Sequence, residues 1–237
     1  MKAIPLAFAF FVCSDAGAQK VVDVNANASN TLGPGNYYTV NGTPFVNTKF
    51  VNLVEGTPYL TDHWLKGTVL DKTGQRFGNA LLKMDLLNNE LHFIAKDGRE
   101  MLATIDAKEM WLEDTVEKLS YHLVNADDIF KAHDQNKWFL QLENGKVRLL
   151  KASLKLLSET LPYGTSIHEQ RIHTKDKYYL EVNGSLVTVT KEKDIVSLLT
   201  DKKIELEAYL KMDKSDKTSR EEKFKNLVAH YNSMFNH

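Results

Sequence analysis

The 237-residue chain has one cysteine, Cys13, almost no net charge, and no apolar run of membrane-spanning length. Each shortage excludes something. A single thiol cannot close a disulfide within the chain, so stability must come from a packed core. Lys and Arg number 30 against 31 Asp and Glu, a formal charge of −1. That balance lacks the basic excess by which nucleic-acid binders attract phosphates, so nucleic acid is not an expected partner. A helix needs about 20 apolar residues to cross ~30 Å of hydrocarbon, so no transmembrane segment is expected in the mature chain. Recurring reactive signatures are missing too. There is no G-x-S-x-G elbow, no G-x-x-x-x-G-K-S/T phosphate loop and no G-x-G-x-x-G dinucleotide turn. No catalytic residue, cofactor or metal ligand follows from any motif.

What is present begins at the N-terminus. Met1-Lys2 is followed by the apolar run Ala3–Val12, then by the small-residue triplet Ala16-Gly17-Ala18 and Gln19. Charge, short apolar run and small-residue exit, in that order, predict an export signal over 1–18, cleaved after Ala18. A buried strand at the start of the domain is the plainer alternative, but it does not account for the triplet. Cys13 follows Phe-Phe-Val, whereas a lipid-attachment cysteine usually follows small residues. The expected product is therefore an unlipidated, cysteine-free protein of the periplasm or the extracellular space. With 43% hydrophobic and 26% charged residues, it can bury an ordinary globular core.

Residues 19–36 are rich in Asn, Ala, Ser and Gly and read as a flexible arm. A β domain is expected over 37–190. Asp71-Lys72-Thr73-Gly74, Asn88-Asn89, Asp97-Gly98, Asn144-Gly145 and Asn183-Gly184 are turn signals, because Asn and Asp tolerate positive φ and Gly supplies it freely. Short β-prone runs flank them, for example Glu90–Lys96 and Met101–Ile105 around Asp97-Gly98. Successive hairpins of this kind predict an antiparallel β meander. In the first of these runs Leu91, Phe93 and Ala95 alternate with Glu90, His92 and Ile94, one face buried and one wet. Residues 152–165 are too short a stretch for periodicity to separate strand from helix.

After Val189 the period changes. Ile195, Leu198 and Leu199 fit a short helix, and Ile204, Ala208 and Leu210 a second. Ser219-Arg220-Glu221-Glu222 has capping-box form. Phe224, Leu227, Val228, Tyr231, Met234 and Phe235 then line one face of a third helix. The expected class is α+β with β dominant, and residues 191–237 packed as helices on the β domain.

Particular strings carry a resemblance. Lys177-Tyr178-Tyr179-Leu180 before Asn183-Gly184, Asp201–Lys211, and the closing Glu221–Ser233 segment resemble a set of uncharacterised exported β-rich proteins of Bacteroidota. The resemblance implies location and fold style and brings no activity.

The candidate chemistry is thin. In His168-Glu169-Gln170-Arg171-Ile172-His173 the two histidines are five apart, not the four of a zinc-protease helix. On a strand that spacing sends the rings to opposite faces; on a helix it separates them by about 140°. Two polar positions beside a hairpin are the simpler account of His168, Glu169 and His173. His63, His92, His122, His133, His230 and His237 are scattered, with no ligand spacing of their own. Asp127-Asp128 and Asp213–Asp216 lack the Gly and distal Glu of a calcium loop. Trp64, Trp111 and Trp138 would form a binding platform if exposed on one β face and core mass if buried. The leading expectation is a non-catalytic envelope or periplasmic interaction module, offering one face or edge to another envelope protein or to the cell surface. A carrier of an apolar, lipid-like ligand in a curled sheet is the second. A hydrolase with a site built from distant residues around His168, Glu169 and His173 is the third.

Overall fold

Three of the turns are set by aspartates that end a strand and turn their carboxylates back into the loop. Asp71 Oδ1 accepts from the Thr73 and Gln75 N–H groups and the Thr73 hydroxyl. Asp85 Oδ1 accepts from the Asn88 N–H. Asp114 Oδ1 accepts from those of Val116 and Glu117. All three aspartates are buried, and these bonds compensate the cost of removing a charge from water. Asn89, Lys118 and Asn183 take positive φ in the turns, which shortens each connection to hairpin length.

The computed structural model describes residues 21–23, 43–44, 52–126, 138–212 and 218–235. The expected signal over 1–18, Cys13, Asp127-Asp128, His133, Asp213–Asp216 and His237 lie outside them. Val21–Asp23 (β1) and Thr43–Pro44 (β2) are short strands, as is Leu53–Glu55 (β3). Then come Leu65–Asp71 (β4), Arg76–Asp85 (β5), Glu90–Ile94 (β6), Glu100–Leu102 (β7), Ala107–Asp114 (β8) and Leu119–Asn125 (β9). Trp138–Glu143 (β10), Arg148–Thr160 (β11), Glu169–Val182 (β12) and Ser185–Val189 (β13) follow. All belong to one 13-stranded sheet in the order β13-β12-β11-β10-β9-β8-β4-β5-β6-β7-β2, with β1 on β5 and β3 on β12.

The fold is strand-dominated and mostly antiparallel, with C-terminal helices. Two features correct the expected unbroken meander. The sheet is mixed, because β1 and β3 join β5 and β12 in parallel. Strand β8 pairs with β4 rather than β7, so one meander, β4–β7, is joined to a second, β8–β13, through a non-sequential pair. Turn residues report local hairpins; which hairpin neighbours which depends on long-range burial. Val21–Asp23, inside the stretch read as a flexible arm, is one of the parallel strands.

One apolar core runs along the inner face of the sheet. Met101 of β7 and Trp138 of β10 share one core with Leu65, Leu82, Met110 and Leu123, although they are far apart in strand order. Strand β5 keeps both its halves turned inward through an irregularity against β4, where Gly67↔Ala80 is followed by Val69↔Phe77. Asn79 sits within it at φ 57°. The extra residue re-phases the alternation, so Phe77 as well as Ala80, Leu82 and Met84 is buried.

Three helices cover the same face beyond β10: Glu192–Leu198 (α1), Lys203–Met212 (α2) and Arg220–Ser233 (α3). In α3 the Ser219 hydroxyl accepts from the Glu222 N–H, as the capping-box pattern predicts. Phe224, Leu227, Val228 and Tyr231 of α3 pack against Leu149, Leu180 and Val189. The stripe expected for α2 is corrected: Ile204 and Ala208 face solvent, and Leu206 points inward with Tyr209 and Leu210 beside it. Lys151 fastens the start of α3 to the sheet, its ammonium 2.7 Å from Glu221 and 3.0 Å from Asp176. No described helix is long and apolar enough to cross a membrane.

The buried turn at Asp114 makes a pH prediction. Burial opposes ionisation of Asp114, but hydrogen bonds from the Glu117 N–H, His63 and the Val116 N–H outweigh it and hold the carboxyl below the ordinary carboxylate range. His63 Nε2 lies 2.5 Å from Asp114 Oδ2. A carboxyl with a lowered folded-state pKa stabilises the fold above its unfolded pKa, near 4, and loses that contribution as pH falls through the folded value. The urea midpoint should therefore drop below about pH 4. Asp114→Asn should flatten part of that limb, and a variant that tracks wild type through acid would exclude the role.

Candidate functional site

The two longest strands build a projecting arm. β11 and β12 pair without interruption from Arg148↔Glu181 to Thr160↔Glu169. Strand β10 accompanies β11 only as far as Lys151, and β13 meets β12 only from Tyr178 onward. From Ala152↔Lys177 to the tip the hairpin therefore runs past the ends of β10 and β13, and among the described residues the strand paired with it there is β3, at Gln170 and Arg171.

The arm is unusually apolar for a two-stranded projection. Leu156, Leu157, Leu161 and Ile167 are exposed, and Tyr163 at the tip is fully so. From Leu161 to Ile167 there is no charged residue. Gly56 lies tightly against the inner side of the arm, because a Cβ on it would fall 2.0 Å from the Ile172 carbonyl oxygen. Ion pairs rim the apolar patch. His168 Nδ1 is 2.8 Å from Glu159 across the hairpin, and Arg171 reaches Glu169 at 2.7 Å and Glu55 at 3.4 Å. Exposed apolar side chains ringed by polar ones are the composition of a surface that another molecule covers.

This geometry locates the residues singled out in the sequence. His168 precedes β12 and is occupied by Glu159; Glu169 is taken by Arg171; His173 is exposed farther along β12. His168 and Glu169 sit on the arm in separate side-chain pairs, and the three are not brought together as one group. The tryptophans are not brought to one platform. Trp138 is core. Trp111 is half-buried, stacked on His122 with ring centroids 4.8 Å apart and the Arg76 guanidinium 4.9 Å over it. That His122 ring is held at both nitrogens, Nε2 2.9 Å from Glu109 and Nδ1 2.9 Å from the Gln141 amide. Trp64 is half-buried with the Lys83 ammonium 5.7 Å from its ring.

Sequence reasoning missed the arm because it left 152–165 undecided. The available signal was the length of turn-free sequence on each side of Pro162-Tyr163-Gly164, much longer than the runs around the other turns. It also passed over His92, whose neighbours come from adjoining strands. Among the described residues, Asp85, Glu90 and His92 are the group whose potential metal-ligand atoms converge. No protein-family model matches the chain, no curated protein matches it, and no solved structure matches it.

Proposed function

We propose that this is an exported, non-catalytic binding protein of the bacterial envelope that engages a protein partner through the β11–β12 arm. The observation that carries the reading is the uncharged, apolar hairpin tip, with Tyr163 fully exposed beyond the sheet. Water-exposed Leu, Ile and Tyr side chains on a two-stranded projection forgo the burial that stabilises a hairpin, at about 25 cal/mol per Å². A partner that covers them recovers that energy. The arm's charges favour a protein over an anionic lipid surface. Arg171 is already paired with Glu169 and Glu55, and Glu159 and Asp176 offset Lys155 and Lys175. The edge of β11 beyond Lys151, which carries Leu156 and Leu157, suits an extended segment of that partner added as a further strand. The export reading rests on the charge, apolar run and small-residue exit of residues 1–18.

A photo-crosslinker placed at Tyr163 should give one discrete adduct in intact cells, absent when the same probe replaces the exposed Ile204 on α2. Leu161→Asp with Ile167→Asp should abolish the adduct and leave thermal stability unchanged. Equal labelling at both positions, an adduct with a second copy of the chain or with lipid only, or indifference to the double substitution would refute the reading.

A further inference from the structure

On the outer face of the sheet, β5 and β6 bring three ligand-type side chains together. Asp85 and Glu90 stand opposite each other across the turn, and His92 is two residues beyond Glu90 on the same face. One ligand atom from each lies within 4.8 Å of the other two. The pattern of Glu90-Leu91-His92-Phe93 predicts His92 on a wet face, yet it is fully buried. The reason is the segment before β4. The Leu60 N–H donates to Met84 and the Leu86 N–H to Pro58, laying Tyr59 edge-on to the His92 ring at 5.6 Å between centroids.

We propose that Asp85, Glu90 and His92 bind one divalent cation of the zinc type. Geometry at His92 points there. Nδ1 lies 2.7 Å from the Glu100 carboxylate, the kind of partner that orients a metal-binding imidazole. Nε2 in turn lies 3.9 Å from Glu90 Oε2. Ligands of a tetrahedral zinc at 2.0–2.2 Å are about 3.4 Å apart, so a small inward movement of the half-exposed Glu90 closes the set. Asp85 already accepts from Asn88 through both oxygens, and each carboxylate oxygen has capacity for a further partner.

The electrostatics agree. Asp85, Glu90 and Glu100 set three carboxylates around the buried His92 ring, a concentration of negative charge that a cation relieves. Lys83, opposite His92 in register, sets its ammonium over the Tyr59 ring at 4.1 Å. One imidazole nitrogen with two carboxylates suits a borderline ion such as Zn²⁺ better than Ca²⁺ or Mg²⁺, which prefer all-oxygen sets. Three protein ligands leave a coordination position for water or an incoming group.

The test is calorimetric titration of tag-free, chelator-treated full-length protein with Zn²⁺ near neutral pH. One saturable site per chain is expected, with a raised melting temperature on loading. Glu90→Gln should weaken binding at least tenfold, and Glu100→Gln, which acts only by positioning His92, by about 10–100-fold. His168→Ala and His173→Ala should leave it unchanged. As a readout independent of any variant, the His92 Nε2 NMR resonance should shift on addition of Zn²⁺ while that of His173 stays in place. No saturable binding, binding undiminished in Glu90→Gln, loss of binding in the arm variants, or an unmoved His92 resonance each overturns the assignment.

Discussion

Asn232→Ala is expected to destabilise the protein by about 2–5 kcal/mol, because it strips both hydrogen-bond partners from one buried backbone unit. Asn232 Oδ1 accepts from the Val147 N–H and its amide donates to the Val147 carbonyl, each at 3.0 Å. Residue 147 lies in the turn between β10 and β11 and is buried, as is Asn232 itself. The side chain on α3 thus acts as a one-residue strand partner for the sheet. Neighbouring Gly145 makes room for it: a Cβ there would lie 2.6 Å from Asn232 Cγ. Gly145→Ala alone should therefore cost about 1–3 kcal/mol by overpacking. In the Asn232→Ala background part of that cost should vanish, since Cγ and Nδ2 at 2.6 and 2.7 Å are removed while the Cβ at 2.9 Å stays. Urea unfolding of the four members of this cycle measures the coupling. Strict additivity, or a loss under 1 kcal/mol for Asn232→Ala, would show that the Asn232–Val147 pair does not help to hold α3.

The second large effect is expected at Gly56. Its φ is +80°, a region that side chains rarely adopt, and its missing Cβ is replaced in space by the Ile172 carbonyl oxygen at 2.0 Å. Gly56→Ala meets both the backbone penalty and the clash, about 2–5 kcal/mol together. Only β3 and its approach depend on this contact, so release should be local rather than global. The Gln170 N–H, which donates to the Asn52 carbonyl at 2.9 Å, should lose hydrogen-exchange protection by roughly a hundredfold. Amides of Leu149 and Leu180 in the helix-covered core should keep theirs. An unchanged Gln170 rate would mean that β3 is not held through Gly56.

These predictions fall where residues distant in sequence meet, and that divides what was legible from what was not. Hairpins at Asp97-Gly98 and Asn183-Gly184 follow from local φ preferences, whereas the turn at Asn144-Gly145 takes no positive φ and needs its glycine for the close approach of Asn232; α3 follows from the spacing of Phe224, Leu227, Val228 and Tyr231 after a capping serine. Strand dominance and the C-terminal helices are therefore properties of short windows. Ile204 shows how weak a window becomes when few residues mark the stripe: Leu206, three positions from Tyr209 and four from Leu210, sets the buried face of α2 instead.

The sequence by itself determined the local alphabet: turns, hairpins, the cap of α3, and the lack of any reactive motif. Tertiary structure alone decided that β4 lies between β5 and β8, that β11 and β12 outrun their neighbours as an apolar arm, and that His92 is buried under Tyr59 beside two carboxylates. The physical reason is range. Turn and helix preferences are fixed by dihedral sterics and hydrogen bonds within a few residues. Strand order and the burial of a polar face depend on which distant surfaces exclude water from each other, and no local pattern encodes that pairing.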